Sequence, residues 1–485
     1  MSPSSDSKPP EYYAANNMEQ PPVADNMATY KRIIVCIDGT WLSSDQGTKN
    51  SPTNVALLAR SISSFGIDDK GKTVTQIVSY HSGLASGDLP LQKAIWGGLG
   101  WGLDQDICEV YEFIADNYSP GDELFFFGFS RGAFTARSAA GLVTDIGILN
   151  STNMHKFPAM YEAYRNNTGG DPFSSTPWFI NHAEAYGLVP NVKIKVVGVW
   201  ETVGALGVPE WPLTTTLQNL GFPLNKQYAF HNTNVSPWVD YAFQALALDE
   251  QRLTFPPTMW RSTTGAPAKS LVQCWFPGVH GNLGGQADDP VSAGDHGEIG
   301  NITFAWMIDN LSGLLTFEAT AIEALIHTHK KALEISPVAN GWGCGPIVSN
   351  FAGLQGKFFY LLGKQDRTPG RYQLIPGNGF DGPTFESFHP TVRVRRDKVK
   401  EWQPGSLKGW NLKRPQSSGK GWSWTRNAQV LPEFQMSRKP IDVACEGIHG
   451  GGCRFEQMPS LSRTLCPKDV LAYLDNTCSD SEKHH

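Results

Sequence analysis

The chain has 485 residues, a formal net charge of −6 and 18% charged residues, fewer than the roughly 25% of a typical soluble domain. This length is enough for roughly three domains or for one large α/β unit. The acidic balance argues against a nucleic-acid-binding protein, and no run of apolar residues is long enough to predict a transmembrane helix.

The cysteines and the first residues bear on the compartment. No apolar signal segment is visible at the N-terminus, so we expect a cytoplasmic protein whose thiols are free. Four of the eight cysteines fall among apolar residues, and the other four crowd the C-terminal end. There, Cys445 and Cys453 flank His449, but their spacing matches no standard zinc pattern. We therefore predict neither a metal nor another cofactor.

The predicted elements alternate between strands and helices after a polar leader. Residues 1–29, rich in serine, proline and asparagine, predict a disordered leader. A β-branched run then predicts a central parallel strand that ends at Asp38 and Gly39. The next expected elements are a helix over 54–65, a strand over 74–80 and a helix over 103–117. Such alternation predicts an α/β fold with a mostly parallel sheet and helices on both faces.

The stretch from Leu124 to Gly132 dominates the functional prediction. Its apolar residues predict a buried strand, Gly-x-Ser-x-Gly follows at 128–132, and alanines recur at helical spacing beyond it. Strand, sharp turn and helix are the context of a nucleophile elbow, in which a strained turn lifts the serine hydroxyl clear of the sheet. We therefore predict that Ser130 is a nucleophile beside the positive end of a helix dipole.

Two later strands are predicted to deliver the partners that an activated serine needs. One carries Glu201 at its end, and the other covers 270–280 and ends at His280. Parallel strands end at one sheet edge, and the chain order serine, acid, histidine is that of α/β-hydrolases. Glu201 and His280 are therefore the predicted acid and base. Asp249, at the end of a predicted helix over 238–249, is the alternative acid.

Backbone N–H groups are predicted to form the oxyanion hole. One belongs to Arg131, which follows the nucleophile, and another belongs to Gly39 or Thr40 in the turn that leaves the first strand. Asp38 is expected to hold this turn by accepting backbone N–H groups. Metal ligation by Asp38 is the alternative.

The residues beyond 340 differ in composition from the catalytic α/β unit, which we assign to residues 30–340. Glycine, proline, tryptophan and basic residues are frequent over 341–485, which predicts an irregular cap or extension packed on the core by its tryptophans. The basic cluster at 393–400 is expected to be a solvated strand or loop. The alternative is a surface for anionic lipid headgroups that makes peripheral membrane contact. The remaining predicted elements are a strand over 192–204 and helices over 160–165, 299–314 and 317–333.

Five ordered blocks of the sequence resemble one family. They are Ile37–Trp41, Gly128–Ala133, Val199–Gly204, Ala245–Glu250 and Trp275–Gly285. Together they resemble the family of α/β-hydrolase-like domains that includes the bacterial type VI secretion phospholipase effectors. The resemblance implies an α/β-hydrolase fold, phospholipase activity in the bacterial members and a Ser-Asp-His triad. Its members correspond to Ser130, Glu201 and His280 of this chain.

Two positions depart from the family pattern. The usual Trp-Asp-Thr-Val is Trp-Glu-Thr-Val here, so Glu201 reaches one methylene further and fits a triad only if its strand end sits slightly further back. The usual aspartate two residues after the histidine is Asn282, a candidate supporting residue that lacks the family's charge beside His280. The family's substrate specificity therefore does not transfer to this chain.

These predictions favour a serine esterase that cleaves a lipid or another small acyl ester through an acyl-enzyme. An acyltransferase or a lactone-forming enzyme would use the same triad with another acceptor in place of water. A non-catalytic binding or membrane-surface module with a drifted triad is the alternative from a different class, motivated by Glu201 and Asn282.

Overall fold

The fold is given by a computed structural model, which describes residues 26–39, 52–82, 104–167, 172–203, 235–262, 270–285, 297–334, 338, 341–347, 349–351, 353–373, 382–415, 421–436 and 460–475. Its strands are β1 (Met27–Ile37), β2 (Phe65–Ile67), β3 (Thr73–His81), β4 (Glu123–Phe129), β5 (Ile148–Leu149), β6 (Leu188–Val189), β7 (Ile194–Trp200), β8 (Val239–Ala247), β9 (Ser270–Phe276), β10 (Glu386–Phe388), β11 (Asn411–Lys413), β12 (Ser423–Arg426) and β13 (Gln429–Pro432). Its helices are α1 (Asn54–Ser61), α2 (Asp104–Asn117), α3 (Arg131–Ile146), α4 (Phe157–Arg165), α5 (Pro177–Tyr186), α6 (His280–Leu283), α7 (Glu298–Leu311), α8 (Ala319–Glu334), α9 (Gly353–Leu362), α10 (Pro390–Lys398), α11 (Leu461–Leu465) and α12 (Lys468–Asp475).

Within the described residues, the main sheet has eight strands in the order β10-β9-β8-β7-β4-β1-β3-β2. Neighbouring strands pair in parallel, except that β2 runs antiparallel to β3. The register places Ile37 opposite Gly128, Phe129 opposite Trp200, and Trp200 opposite Ala245. The carboxyl ends of the central strands therefore meet at one edge, where open α/β sheets place their functional groups.

The central strand β4 is buried on both faces of the sheet. Its side chains alternate between the two faces, and all four residues of Leu124–Phe127 are 0% exposed. Phe125 and Phe127 belong to a core cluster with α1, α7 and α8, whereas Leu124 and Phe126 pack with α2, α3 and α4. Helices on both faces explain why this strand is a continuous apolar run rather than an alternating one.

The predicted α/β fold with a mostly parallel sheet is confirmed, and most elements lie near their predicted bounds. The first strand begins at Met27, so the last residues of the predicted leader belong to β1. Residues 1–25 lie outside the described residues. The helix predicted over 54–65 ends at Ser61 and is followed by β2.

The prediction of a helix over 238–249 is wrong. These residues form β8 between β7 and β9, and Ala242–Ala247 are buried there. Alanine favours a helix by less than about 1 kcal/mol per residue, so pairing with two neighbouring strands and burial on both faces outweigh its preference. Asp249 consequently lies just beyond the end of a strand.

The residues beyond 340 are integrated with the α/β unit. Strand β10 joins the main sheet beside β9. Trp410 and Trp424 are buried, as expected, in a cluster that also contains Leu246 of β8 and Trp275 of β9. The packing of the described residues therefore does not divide at residue 340.

The prediction of a solvated strand or loop at 393–400 is wrong. Most of this basic cluster lies on helix α10. Arg393 is buried in a bidentate pair with Glu433, at 2.8 and 2.9 Å, and Arg395 is buried and donates to two backbone carbonyl oxygens. Arg393 is thus neutralised by Glu433, and Arg395 is hydrogen-bonded by backbone carbonyl oxygens. Neither side chain is available to lipid headgroups.

The structure also bears on the predictions drawn from composition. No helix in the described ranges is long and apolar enough to cross a membrane. The cysteines described there are buried free thiols: Cys36, Cys108, Cys274, Cys344 and Cys466. The residues weighed as a zinc site lie outside the described ranges: Cys445, His449 and Cys453.

Candidate active site

Ser130 joins β4 to α3 in a strained turn. Its φ of 59° and ψ of −121° define a conformation that costs a non-glycine residue about 1–3 kcal/mol. A Cβ atom on Gly132 would come within 3.0 Å of the carbonyl oxygen of Ile37 in β1. A Cβ atom on Gly128 would approach the carbonyl oxygen of Gly132 equally closely. The two glycines are thus required by backbone packing around the serine.

The side chains of Ser130, His280 and Glu201 form one hydrogen-bonded chain. Ser130 Oγ lies 2.8 Å from His280 Nε2, and His280 Nδ1 lies 3.2 Å from Glu201 Oε2. The three residues follow β4, β9 and β7, whose carboxyl ends meet at the same sheet edge. This is the geometry of a serine nucleophile, a base that accepts its proton and an acid that fixes the tautomer of the base.

Glu201 is buried and hydrogen-bonded through both carboxylate oxygens. Oε1 accepts the backbone N–H of Ala247 at 2.7 Å, and Oε2 accepts from His280 and from Nη2 of Arg367, the latter at 2.9 Å. The residue has a positive φ of 46°, the second strained position of the site. Burial acts to raise the pKa of Glu201, but the charge of Arg367 and the bond from His280 outweigh it and lower this pKa. Glu201 is therefore ionised at neutral pH.

The imidazole of His280 is packed between two aromatic rings. Its centroid lies 4.8 Å from that of Phe129 and 5.1 Å from that of Phe255. Burial lowers the pKa of His280; Glu201 opposes this effect, Arg252 adds to it, and the net pKa is lowered. The ring is therefore neutral at pH 7, the state in which Nε2 can accept a proton from the serine.

Asp249, the predicted alternative acid, makes structural contacts. Its carboxylate accepts the backbone N–H of Gly278 at 2.7 Å and the indole N–H of Trp402 at 2.8 Å. The carboxylate that hydrogen-bonds the imidazole is that of Glu201. The structure therefore brings Glu201, and not Asp249, to the predicted base.

A second buried carboxylate, that of Glu250, contacts the histidine through its backbone. Glu250 Oε2 accepts the N–H of His280 at 3.2 Å and the amide of Asn350 at 2.8 Å. Arg252 forms a bidentate pair with Glu250, at 2.9 and 3.0 Å. Burial acts to raise the pKa of Glu250, but the bond and charge of Arg252 lower it overall. Two ionised carboxylates thus contact His280, and each is paired with an arginine.

The predicted oxyanion donors differ in their surroundings. Arg131 is the first residue of α3, where a backbone N–H has no acceptor within the helix. The N–H of Gly39 already donates to Oδ1 of Asp38, at 2.8 Å. Thr40 lies outside the described residues. Of the two predicted donors that the structure describes, Arg131 is thus the one whose N–H is not already donated to Asp38.

Asp38, which is predicted to hold the turn after β1, accepts three hydrogen bonds. Its carboxylate accepts from the hydroxyl groups of Thr53 at 2.6 Å and Tyr80 at 2.7 Å, in addition to Gly39. Burial raises the pKa of Asp38, and these hydrogen bonds offset only part of that effect. Within the described ranges, no group of three or more His, Cys, Asp and Glu side chains could hold a metal ion.

Asn282 uses both halves of its amide. Its Oδ1 accepts the backbone N–H of Val279 at 3.1 Å, and its Nδ2 donates to the carbonyl oxygen of Pro346 at 3.3 Å. An ionised aspartate could make only the first of these bonds. The asparagine therefore ties the turn that carries His280 to the segment beyond residue 340.

Sequence analysis did not identify Arg367, Glu250, Arg252 or Phe255 as site residues. Glu250 ends one of the five blocks that resemble the family, and this position was a usable signal. Arg367 lies in the irregular region, where neither periodicity nor a motif distinguishes it from its neighbours. Its place beside Glu201 depends on contacts 166 residues apart.

Residues 31–310 match the sequence model of a family described as the type VI secretion phospholipase effector Tle1-like catalytic domain. An uncharacterized protein of Saccharomyces cerevisiae is 26% identical over 243 residues, which cover 46% of this chain and 32% of the yeast protein. The chain thus spans about a third of the length of this curated relative.

Two solved structures are also similar to this chain. One is the Tle1 effector bound to the VgrG spike of the type VI secretion system, with 18% identity, a TM-score of 0.29 and coverage of 54% of this chain and 52% of that chain. The other is an uncharacterized protein from Pseudomonas aeruginosa, with 13% identity, a TM-score of 0.33 and coverage of 79% and 64%. The family match, which covers more than half of this chain, is the stronger finding.

Proposed function

The chain belongs to the family of type VI secretion phospholipase effector Tle1-like catalytic domains, and we propose that it is a serine hydrolase that cleaves carboxylic esters of lipids. One observation carries the proposal: the hydrogen-bonded chain from Ser130 through His280 to Glu201. The family description supports a lipid ester as the substrate class.

The proposed reaction follows from the positions of these groups. Ser130 Oγ attacks the ester carbonyl carbon while His280 Nε2 takes its proton, and Glu201 stabilises the imidazolium that forms. The N–H of Arg131 and the dipole of α3 stabilise the oxyanion. The imidazolium then protonates the leaving alcohol as the ester C–O bond breaks. Water attacks the acyl-enzyme, His280 takes its proton and returns it to Ser130, and the carboxylic acid leaves.

The site geometry favours this proposal over a drifted, non-catalytic scaffold. A drifted triad would leave the serine, imidazole and carboxylate without mutual contacts, whereas both distances lie within hydrogen-bond range. Glu201 also keeps a buried charge that a scaffold would have no need to retain, since burial of an ion without function is costly.

Labelling by a fluorophosphonate probe tests the proposal. We expect the wild-type protein to be labelled, Ser130→Ala to lose labelling, and His280→Ala to be labelled at least 100-fold more slowly, the upper part of the range for general-base catalysis being about 10⁴-fold. Ser138→Ala is the matched control, because Ser138 lies on α3 and its buried hydroxyl has no hydrogen-bond partner among the described residues. A folded wild-type protein that resists labelling would refute the proposal.

The same proteins should be tested on phospholipid vesicles and short-chain esters. Release of free fatty acid by wild type and Ser138→Ala, but not by Ser130→Ala, is the expected result. Accumulation of a new ester when an alcohol is added, with little free acid, would instead identify an acyltransferase.

A further inference from the structure

Glu201, the acid of the proposed triad, forms an ion pair with an arginine that lies outside the residues matched by the family model. Arg367 is 4% exposed, and its Nη2 donates to Glu201 Oε2 at 2.9 Å. The same oxygen accepts the Nδ1–H of His280 at 3.2 Å. Because the family match ends at residue 310, this arginine comes from a part of the chain beyond the matched domain.

Backbone pairing directs this segment to the site. Residues 363–365 lie against 251–253, the stretch after β8, through two backbone hydrogen bonds of 3.3 and 2.9 Å and an antiparallel bridge. The amide of Gln251 also donates to Asp366, at 2.7 Å. The position of Arg367 is thus set by the strand whose end carries Glu250, one of the two carboxylates at the histidine.

The same segment reaches the second carboxylate. Asn350 Nδ2 donates to Glu250 Oε2 at 2.8 Å, and that oxygen accepts the backbone N–H of His280. Each carboxylate in contact with the histidine is therefore bound by a side chain from beyond residue 310: Glu250 by Asn350, and Glu201 by Arg367.

From this geometry we infer that Arg367 is a positioning residue of the triad, which balances the charge of Glu201 and keeps it oriented toward His280, and that Asn350 and Arg367 complete the active site of the matched domain. The effect on reaction rate rests on the proposed hydrolase function. The effect on the protonation of His280 does not depend on that function.

The charges around the histidine give the direction of the effect. Among the described residues, the charged groups around the imidazole are Glu201 after β7, Glu250 and Arg252 after β8, and Arg367, and their charges balance one another. Without the guanidinium of Arg367, the charge of Glu201 would act on the imidazole uncompensated and would favour the imidazolium. The pKa of His280 would rise. As the pH falls, the neutral imidazole that acts as the base would then be protonated at a higher pH than in wild type.

The test replaces the arginine in three ways. Arg367→Met removes the charge and the hydrogen bond, Arg367→Gln keeps a donor without the charge, and Arg367→Lys keeps the charge. Arg371→Met is the matched control, because Arg371 is exposed and lies four residues further along the same loop. Arg367→Gln serves as the neutral variant if Arg367→Met does not fold.

Two measurements separate this inference from the proposed function. The first is an NMR titration of the His280 ring in a Ser130→Ala background, which requires no substrate. The second is the pH dependence of kcat/KM, or of probe labelling, in the variants with Ser130 intact.

We expect both neutral variants to raise the titration midpoint of His280 and the acid limb of the rate by about one pH unit, because a positive charge that disfavours the imidazolium is removed. At pH values well below both midpoints, the neutral variants should lose about tenfold in rate. Arg367→Lys should keep the titration midpoint of His280 close to that of wild type, and Arg371→Met should leave it unchanged.

Unchanged midpoints in both neutral variants would overturn the inference, whatever the activity of the wild type. A loss of stability without a change in midpoint would also overturn it, since that result assigns Arg367 a purely structural role. An unlabelled wild type with the predicted midpoint shift would instead reject the proposed hydrolase function and leave the electrostatic coupling established.

Discussion

The serine end and the acid end of the proposed triad are built in different ways. At the serine end the geometry comes from consecutive residues: a buried strand, two glycines without room for a Cβ atom, and a helix. At the acid end Glu201 is surrounded by donors from three other parts of the chain: Ala247, His280 and Arg367. Local sterics therefore place the nucleophile, whereas long-range electrostatics place the acid.

This difference separates the consequences of substitutions at the two ends. A change at the serine end should act on packing, and thus on the free energy of unfolding. A change at the acid end should act on charge and hydrogen bonding, and thus on rate and pH dependence. The three predictions below test that division.

Glu201→Gln should have the largest effect. Both oxygens of the carboxylate face donors, so an amide NH₂ in either position meets an N–H group and not an acceptor. The Nδ1–H tautomer of His280 loses its stabilising charge, and the analogous loss in serine proteases lowers kcat by about 10⁴-fold. We therefore expect a loss of about 10³–10⁴-fold in ester hydrolysis, with the protein still folded by circular dichroism.

The buried guanidinium of Arg367 also loses its partner in Glu201→Gln, so some loss of stability should accompany the loss of rate. Glu162→Gln, at an exposed position of α4, is the control. A rate within tenfold of wild type in a folded Glu201→Gln protein would mean that the carboxylate charge is not used.

Gly132→Ala should have an intermediate effect, and this effect should be a loss of stability. Its Cβ atom would come within 3.0 Å of the carbonyl oxygens of Ile37 and Asp38. Overpacking of this kind costs about 1–3 kcal/mol, which a lower urea midpoint would show. Probe labelling of Ser130 should fall as well, because the backbone must shift at the elbow.

Gly141→Ala is the matched control for Gly132→Ala. Gly141 lies on the same helix, and a Cβ atom there meets nothing within 4 Å. Alanine is favoured over glycine inside a helix by about 0.5–1 kcal/mol, so this variant should be slightly more stable than wild type. Equal effects of the two substitutions would contradict the steric account of the elbow.

The same division explains how much could be predicted from the sequence. The elbow was predicted because strand, glycines and helix are adjacent in the chain, and the histidine because its strand has a clear apolar pattern. Strand β8 was mispredicted because its alanines favour a helix locally, whereas pairing on both sides decides its structure. The local sequence pattern indicates which residues are buried, but it says little about which strands pair with one another in the sheet.

Arg367 was out of reach of sequence reasoning for a related reason. Its contact with Glu201 depends on the backbone pairing of residues 363–365 with residues 251–253. Neither stretch has a sequence pattern that predicts this pairing. The basic cluster at 393–400 was misassigned because burial of Arg393 requires Glu433, forty residues away, as its partner. Charge–charge contacts in the interior are set by tertiary structure, so single-sequence reasoning misses them first.

Glu201→Asp, which restores the residue that the family usually has, should have the smallest effect of the three. The charge remains, but the side chain is one methylene shorter and cannot keep its bonds to Ala247, His280 and Arg367 together. We expect about a tenfold loss in kcat/KM, equal to about 1.4 kcal/mol of transition-state stabilisation.

Stability should fall less in this variant than in Glu201→Gln, because the charge beside Arg367 remains and aspartate tolerates the positive φ of 46° at this position better than glutamate. A urea midpoint between those of Glu201→Gln and wild type, together with a lower rate, would show that the longer side chain is retained for its reach and not for the backbone. A rate equal to wild type would instead mean that the position of the acid is adjustable, and the contrast between a sterically fixed serine and an electrostatically placed acid would become sharper still.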